Sequence, residues 1–431
     1  MSDFSFLPDD IELVVDIIVP NILGVNEVKT VKMNKVEFVE YVSANKITIA
    51  GNGVMYHNKT VGFVPTILSN WFEERNSFKR QMNEYPADTD EYRFYDRKQL
   101  ITKILLNSLY GVLLLPSFRF YDKQNGEAVT MSSQDIIKFS NYCINKYYQN
   151  NIPNFDGDAV QYSDTDSNYI NSIPLWSNPD ETDEIKIYKN VQAISKKVCG
   201  YVNDALVRLS ALHFNSNNCK LLFQEEKVSK RAFWGQAKKR YAQLSVNIKD
   251  GQLVEKLDIK GFDVVRSSFP KAFRKILKEL IVDILHDVSI EDLNAKIGKF
   301  KKEYANSALV DIMLPTGVKE MSKYEIGQKG TPIYYKAAQN YNSMLKLHKI
   351  ETLPLIDDGD KIIYAYMKSN PFGFETMALR GYDDPKEIVE FVDRFIDKEK
   401  VFENAFLSKV DTIWEDLNFG KVQLQEESNF F

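Results

Sequence analysis

The chain has 431 residues, 27 % of them charged and 13 % aromatic, enough to bury a core in more than one subdomain and to exclude a disordered or fibrous class. A formal net charge of −5 excludes a uniformly basic nucleic-acid binder, yet a local basic groove is compatible with it. Three cysteines (Cys143, Cys199 and Cys219) without Cys-x-x-Cys spacing and four scattered histidines argue against a disulfide framework and a zinc site, and read as reduced thiols in a cytosolic protein.

Residues 1–60 predict short strands and loops. Leu13-Val14-Val15 and Ile17-Ile18-Val19 flank Asp16, Lys35–Val39 alternates, and the turn Gly51-Asn52-Gly53 precedes Val54-Met55-Tyr56. The apolar run from Ile11 to Leu23 is interrupted by Glu12, Asp16 and Pro20 and is no membrane span. From Pro65 to about Tyr85 the apolar residues recur at helical spacing. Pro86–Asp90 is a turn, and Tyr92 to Leu113 is a second helix, so the two form an antiparallel hairpin.

The hairpin carries a pattern of cations. Arg75 and Lys79 share a face of the first helix; Lys103, Asn107 and Tyr110 share a face of the second. Arg75 and Lys103 are about equally far from the turn, so at roughly 1.5 Å per residue they reach similar heights. Cations gathered at one level suit a triphosphate, because guanidinium and ammonium groups pair strongly with phosphate oxygens.

Helices are predicted over about 128–150 and 186–214. Between them, Gln161-Tyr162-Ser163-Asp164-Thr165-Asp166-Ser167-Asn168 reads as two short strands joined by a tight turn. Two carboxylates at such a tip form a hard-oxygen site, better matched to Mg²⁺ or Mn²⁺ than to zinc. Leu221-Leu222-Phe223 then reads as a strand entering the charged turn Gln224–Lys227. The run Lys238-Lys239-Arg240-Tyr241 follows, flanked by aromatics; its cations suit phosphates and its tyrosine a sugar or base. Helices are predicted over Ala272–Val288 and Ile290–Tyr304, with a long helical region from Glu387 to Trp414. The polar tail ends in Phe430 and Phe431, an aromatic anchor without a partner in its own sequence.

Tyr162-Ser163-Asp164-Thr165-Asp166-Ser167 resembles motif C of family B DNA polymerases, departing only at Ser163, where the family commonly has Gly. Lys103-Ile104-Leu105-Leu106-Asn107-Ser108-Leu109-Tyr110-Gly111 resembles that family's motif B at every defining position. The resemblance implies that Asp164 and Asp166 are catalytic and hold two Mg²⁺ (or Mn²⁺) ions. It implies that Lys103 binds the incoming nucleotide's phosphates with Arg75 and Lys79, and that Asn107, Tyr110 and Gly111 shape the pocket under the nascent base pair. Lys238, Lys239, Arg240 and Tyr241 resemble the family's duplex-gripping motif, and Glu226 falls where the family has a third palm carboxylate. Lys323-Tyr324, Asn370-Pro371-Phe372-Gly373 and the terminal Phe430-Phe431 resemble thumb and sliding-clamp-binding segments of T-even-type phage polymerases.

The fold so implied is α+β, a right-hand polymerase with a helical fingers hairpin, an antiparallel palm sheet and a mainly helical thumb. Its expected parts are a palm-side partner-contact segment (1–64), fingers (65–113), palm (114–260) and thumb with clamp-binding tail (261–431). The family's motif A, Asp-x-x-Ser-Leu-Tyr-Pro, is not found in residues 1–64, and the proofreading exonuclease, whose Asp-x-Glu pair sits far upstream in the family, is expected to be absent too. The expectation is therefore the C-terminal subunit of a split polymerase. An N-terminal subunit would bring the exonuclease and motif A, and the complex would use primer–template DNA and deoxynucleoside triphosphates in the host bacterium's cytoplasm, away from membranes. An engineered fragment and a non-catalytic polymerase-like DNA-binding or structural module are the alternatives; intact motifs B and C disfavour the latter.

Overall fold

In the computed structural model, which describes residues 8, 10–20, 26–176, 178, 180–324 and 328–424, helices are interspersed with small antiparallel sheets, an α+β architecture. The chain divides into two units, Met1–Glu226 and Lys227–Phe431.

The first unit opens with an antiparallel pair, β1 (Glu12–Pro20) and β2 (Asn26–Asn34), in register from Glu12 opposite Asn34 to Pro20 opposite Asn26. The alternation over residues 35–39 predicts a strand, but Lys35–Ala44 is a helix, α1. Asn34 decides this. Its side chain accepts from the Glu37 amide while the Glu37 carboxylate accepts from the Asn34 amide, a reciprocal cap that satisfies two otherwise orphaned donors. Phe38 and Val42, four apart, then fall on one face and bury against Val15, Met33 and Ile47. β3 (Ile47–Ile49) and β4 (Met55–His57) pair across the turn at Gly51–Gly53.

α2 (Phe63–Met82) and α3 (Asp90–Leu113) form the expected helical hairpin, with Thr89 capping α3 through the Tyr92 amide. Little of it is buried: α2 has no fully buried residue and α3 has only Thr102. Side chains clip the two helices together. The Lys98 ammonium lies 5.1 Å from the Phe78 ring and 4.6 Å from the Phe94 ring, and Tyr85 stacks on Tyr95. α4 (Lys123–Asn151) and α5 (Glu184–Leu212) supply the main core of this unit, with Cys143, Ile144 and Tyr148 packed among Ile194, Val198, Val202 and Leu206. Between them stands the hairpin of β5 (Val160–Asp164) and β6 (Ser167–Ile170). It is a sheet of two strands, and among the described residues no third strand pairs with either edge. The strand predicted at 221–223 is not formed. There the Asn203 side chain on α5 donates to the Phe223 carbonyl (2.8 Å) and accepts from its amide (2.7 Å), taking the place of a strand neighbour.

The second unit begins with β7 (Val228–Trp234), β8 (Tyr241–Lys249) and β9 (Gln252–Lys260), an antiparallel sheet in that order. Phe233, Ala242 and Leu244 from this sheet share one core with α6 (Lys271–Leu285) and α7 (Ile290–Tyr304). After the short α8 (Leu309–Ile312), a second sheet of β10 (Leu314–Gly317), β11 (Lys361–Tyr366) and β12 (Thr376–Leu379) brackets α9 (Ile333–Leu347). The long helical region predicted over 387–414 is broken. α10 (Lys386–Phe395) stops because Phe395 O accepts from Lys368 N, Ile396 bridges to Met367 and Asp397 N donates to Tyr366 O. Asp397 then caps α11 (Lys398–Val401), a π-helical stretch covers Phe402–Leu407, and α12 (Ser408–Asp416) follows. Among the described residues no helix is long and apolar enough to cross a membrane.

The rings of Phe273, Phe300, Tyr304, Phe402 and Phe406 meet at the centre of this core, with Phe273 stacked 5.3 Å from both Tyr304 and Phe406. Phe273→Ala is expected to destabilise this unit by about 3–5 kcal/mol, the cost of removing a ring plus the cavity left behind. Urea unfolding of the two proteins checks it.

Candidate active site

β5 ends on Asp164, β6 begins at Ser167 opposite it, and only Thr165 and Asp166 make the turn. A two-residue hairpin needs a positive φ at its first central position to follow the strand twist. Thr165 supplies it at 56°, although a β-branched residue is strained there. The Asp166 amide donates to the Asp164 carbonyl (2.6 Å) and the Thr165 hydroxyl to an Asp164 carboxylate oxygen (3.0 Å). Asp164 is half-buried and Asp166 exposed, so the two carboxylates sit at the hairpin tip with access to solvent.

Residues of α4 at positions 141, 145 and 148, one helix face, hold this hairpin. Asn141 Oδ1 accepts from Ser163 Oγ (3.2 Å) and from Asn168 Nδ2, which also donates to Ser163 Oγ (3.1 Å). Asn145 accepts from the Ala159 amide (2.8 Å) and donates to Asp158 (3.0 Å). The Tyr148 hydroxyl donates to the Asn171 carbonyl (2.7 Å), and burial pushes its phenol well above the ordinary range. Sequence reasoning misses these anchors. The signal that could find them is polar Asn at helical spacing on the face that also carries Ile144 and Tyr148.

On the helical hairpin, Arg75, Lys79 and Lys103 come together. The Lys79 ammonium is pushed below its ordinary pKa by burial first, then by the Arg75 and Lys103 charges. Arg75 Nε is buried without a hydrogen-bond partner. Asn107 and Tyr110 continue along α3 from Lys103, and a Cβ at Gly111 would meet nothing within 4 Å, so open space lies beside the Tyr110 end.

In the second unit, Gly235–Arg240 is the turn between β7 and β8, closed by the Gly235 amide on the Arg240 carbonyl (2.9 Å). Lys238 and Lys239 are exposed, and the Arg240 guanidinium lies 4.9 Å from the centre of the Phe262 ring. Tyr241 departs from the expectation of a ring offered to sugar or base. It is 8 % exposed, with its backbone paired to Trp234 and Lys260 where the sheet begins.

The DNA polymerase family B model matches residues 20–417. The chain belongs to DNA polymerase family B. It is 28 % identical over 332 residues to the DNA-directed DNA polymerase of Enterobacteria phage T4, covering 72 % of this chain and 36 % of that protein. It is 24 % identical over 428 residues to that of Escherichia phage RB69 (84 % and 47 %), and 25 % identical over 365 residues to DNA polymerase 2 of Aeropyrum pernix (84 % and 38 %). The chain thus spans less than half the length of these family B relatives.

Not every residue expected to form the family B site is brought together. Among the described residues no group of three or more His, Cys, Asp or Glu side chains converges as a metal site. Glu226 is exposed in an irregular segment, so it does not complete a carboxylate cluster with Asp164 and Asp166. The reason is local: the segment leading to it bonds to α5 through Asn203 and does not pair with β5 or β6. Two carboxylates on a rigid turn still fit part of a Mg²⁺ shell, an ion that keeps several waters and takes one or two protein carboxylates beside substrate phosphates. Phe430 and Phe431 lie outside the described residues.

Asn145→Ala would leave the amide of buried Ala159 without its partner, while the exposed Asp158 carboxylate keeps the Val160 amide, at an expected cost of about 1–3 kcal/mol. Amide hydrogen exchange should show residues 158–171 losing protection while α5 keeps its own.

Proposed function

We propose that this chain carries the nucleotide-binding helices, one carboxylate turn and the duplex-binding surface of a DNA polymerase that extends a primer 3′ end with deoxynucleotides. The observation that carries the reading is the meeting of Arg75, Lys79 and Lys103 on α2 and α3. Lys79, whose protonation is disfavoured by burial first and then by the Arg75 and Lys103 charges, and Arg75, with its buried unpartnered Nε, belong to a positive cluster that an anion would neutralise. A triphosphate supplies that charge, and it would be oriented by Lys103 with its base toward Asn107, Tyr110 and the open space at Gly111.

Asp164 and Asp166 would hold divalent metal, whose chemistry when bound is to activate the 3′-hydroxyl and stabilise the leaving pyrophosphate. Two carboxylates, with no third converging on them among the described residues, are too few for a pair of ions. In this proposal a further aspartate comes from polypeptide outside these 431 residues, on a strand that docks beside the β5–β6 hairpin, which pairs with no third strand among the described residues. Lys238, Lys239 and Arg240 would contact duplex phosphates, and the Phe430–Phe431 tail a sliding clamp.

Primer extension with Mg²⁺ and four deoxynucleotides, with and without the complementary polypeptide, tests this. Asp166→Ala should abolish incorporation by the complex and change DNA affinity by no more than about twofold, since no phosphate contact is removed. Incorporation at the wild-type rate by that variant refutes the carboxylate assignment; synthesis by the isolated wild-type chain refutes the need for a second polypeptide.

Lys103→Ala should weaken triphosphate binding about tenfold or more by removing one charge-assisted hydrogen bond. Its melting temperature should be no lower than that of the wild type, because a repulsion is removed. Titration with a non-hydrolysable triphosphate and a thermal scan check the pair of outcomes.

A further inference from the structure

The basic turn of the second unit is built with more care than its exposed position requires. Lys239 is held at φ 63°, a conformation unfavourable for a lysine, and its carbonyl presses against Gly261, itself at φ +71°. A Cβ on Gly261 would stand 2.0 Å from that carbonyl oxygen, so no other residue fits. On the other side of the turn, Asp416 Oδ1 accepts from the Gln236 amide (3.0 Å) across 180 residues of sequence. Its Oδ2 is buried with no hydrogen-bond partner, packed so close to Gly235 that a Cβ there would meet it at 2.6 Å.

Asp416 is also misplaced by the rules of its own helix. It is the last residue of α12, where the partial negative charge of the free carbonyls repels a carboxylate and a Lys or Arg is favoured. A residue that opposes the helix dipole, leaves one oxygen unpartnered and reaches into a distant turn is better explained by what it does to the turn.

We infer that Asp416 is a positioning residue for DNA. With Gly235 and Gly261 it fixes the turn so that Lys238 and Lys239 meet the phosphate backbone in one prepared geometry. The inference rests on the proposed contact of this turn with duplex DNA. Fixing the turn before binding removes the ordering cost that flexible lysines would otherwise incur on each encounter.

The test measures binding of the full chain to a labelled primer–template duplex by anisotropy over a series of KCl concentrations. Asp416→Ala and Asp416→Asn remove the same negative charge beside the basic turn, but only the asparagine can still accept from the Gln236 amide. Asp416→Ala should weaken binding and reduce the salt slope by about 1 for each phosphate no longer engaged, and Asp416→Asn should keep the wild-type slope. A purely structural contribution would lower the melting temperature and leave the slope unchanged. Gly235→Ala, which forces Asp416 and the turn apart from the other side, should match Asp416→Ala and serves if that variant folds poorly. The control is Lys238→Ala with Lys239→Ala. If the control loses affinity while Asp416→Ala keeps the full slope, the positioning role is wrong. If the control binds like the wild type, the DNA contact of the turn falls, and the inference with it.

Discussion

Two strands of five and four residues cannot hold a shape in water unaided. The hairpin that carries Asp164 and Asp166 is defined because α4 offers it a polar face within an otherwise apolar packing surface. Asn141, Asn145 and Tyr148 satisfy backbone or side-chain groups at the tip, base and exit of the hairpin, while Val160 and Ile170 pack into the core shared by α4 and α5. The direction in which the carboxylates point is thus inherited from a helix 29 residues long. Without that attachment the register of so short a pair would be weakly specified.

The same device recurs elsewhere. Asn203 pairs with both backbone groups of Phe223, and Asn342 does so with Ile356, donating to the carbonyl (2.9 Å) and accepting from the amide (2.7 Å). Asn370 gathers Lys368, Phe372 and Phe374 around one side chain. In each case a primary amide presents a donor and an acceptor as a neighbouring strand would. Irregular segments can then be fixed near the core without a ladder.

Helices are legible wherever apolar residues recur over several turns, as in α2, α3, α6 and α7, and the carboxylate turn is legible as Asp-Thr-Asp between two β-prone runs. What escapes is decided by contacts that period and propensity do not encode. Alternation over 35–39 suggests a strand until Asn34 and Glu37 are taken together as a cap. Ile396 and Asp397 look helical until the end of β11 competes for their backbone. In the candidate site, the cations of α2 and α3 follow from helix geometry alone, whereas Asn141, Asn145 and Asp416 act on residues far along the chain and look like solvated positions in isolation.

Thr165 is the only β-branched residue at positive φ among the described residues. Holding it there costs on the order of 1–3 kcal/mol, a visible fraction of the stability of any domain. Glycine at this position would relieve that cost, so a search for more stable variants would select it early. The gain would be accompanied by a looser angle between the two carboxylates, because glycine also admits other backbone conformations. Thermostability and the fixed aim of Asp164 and Asp166 therefore pull against each other at this one residue, and an engineer raising the melting point of this chain should leave Thr165 alone.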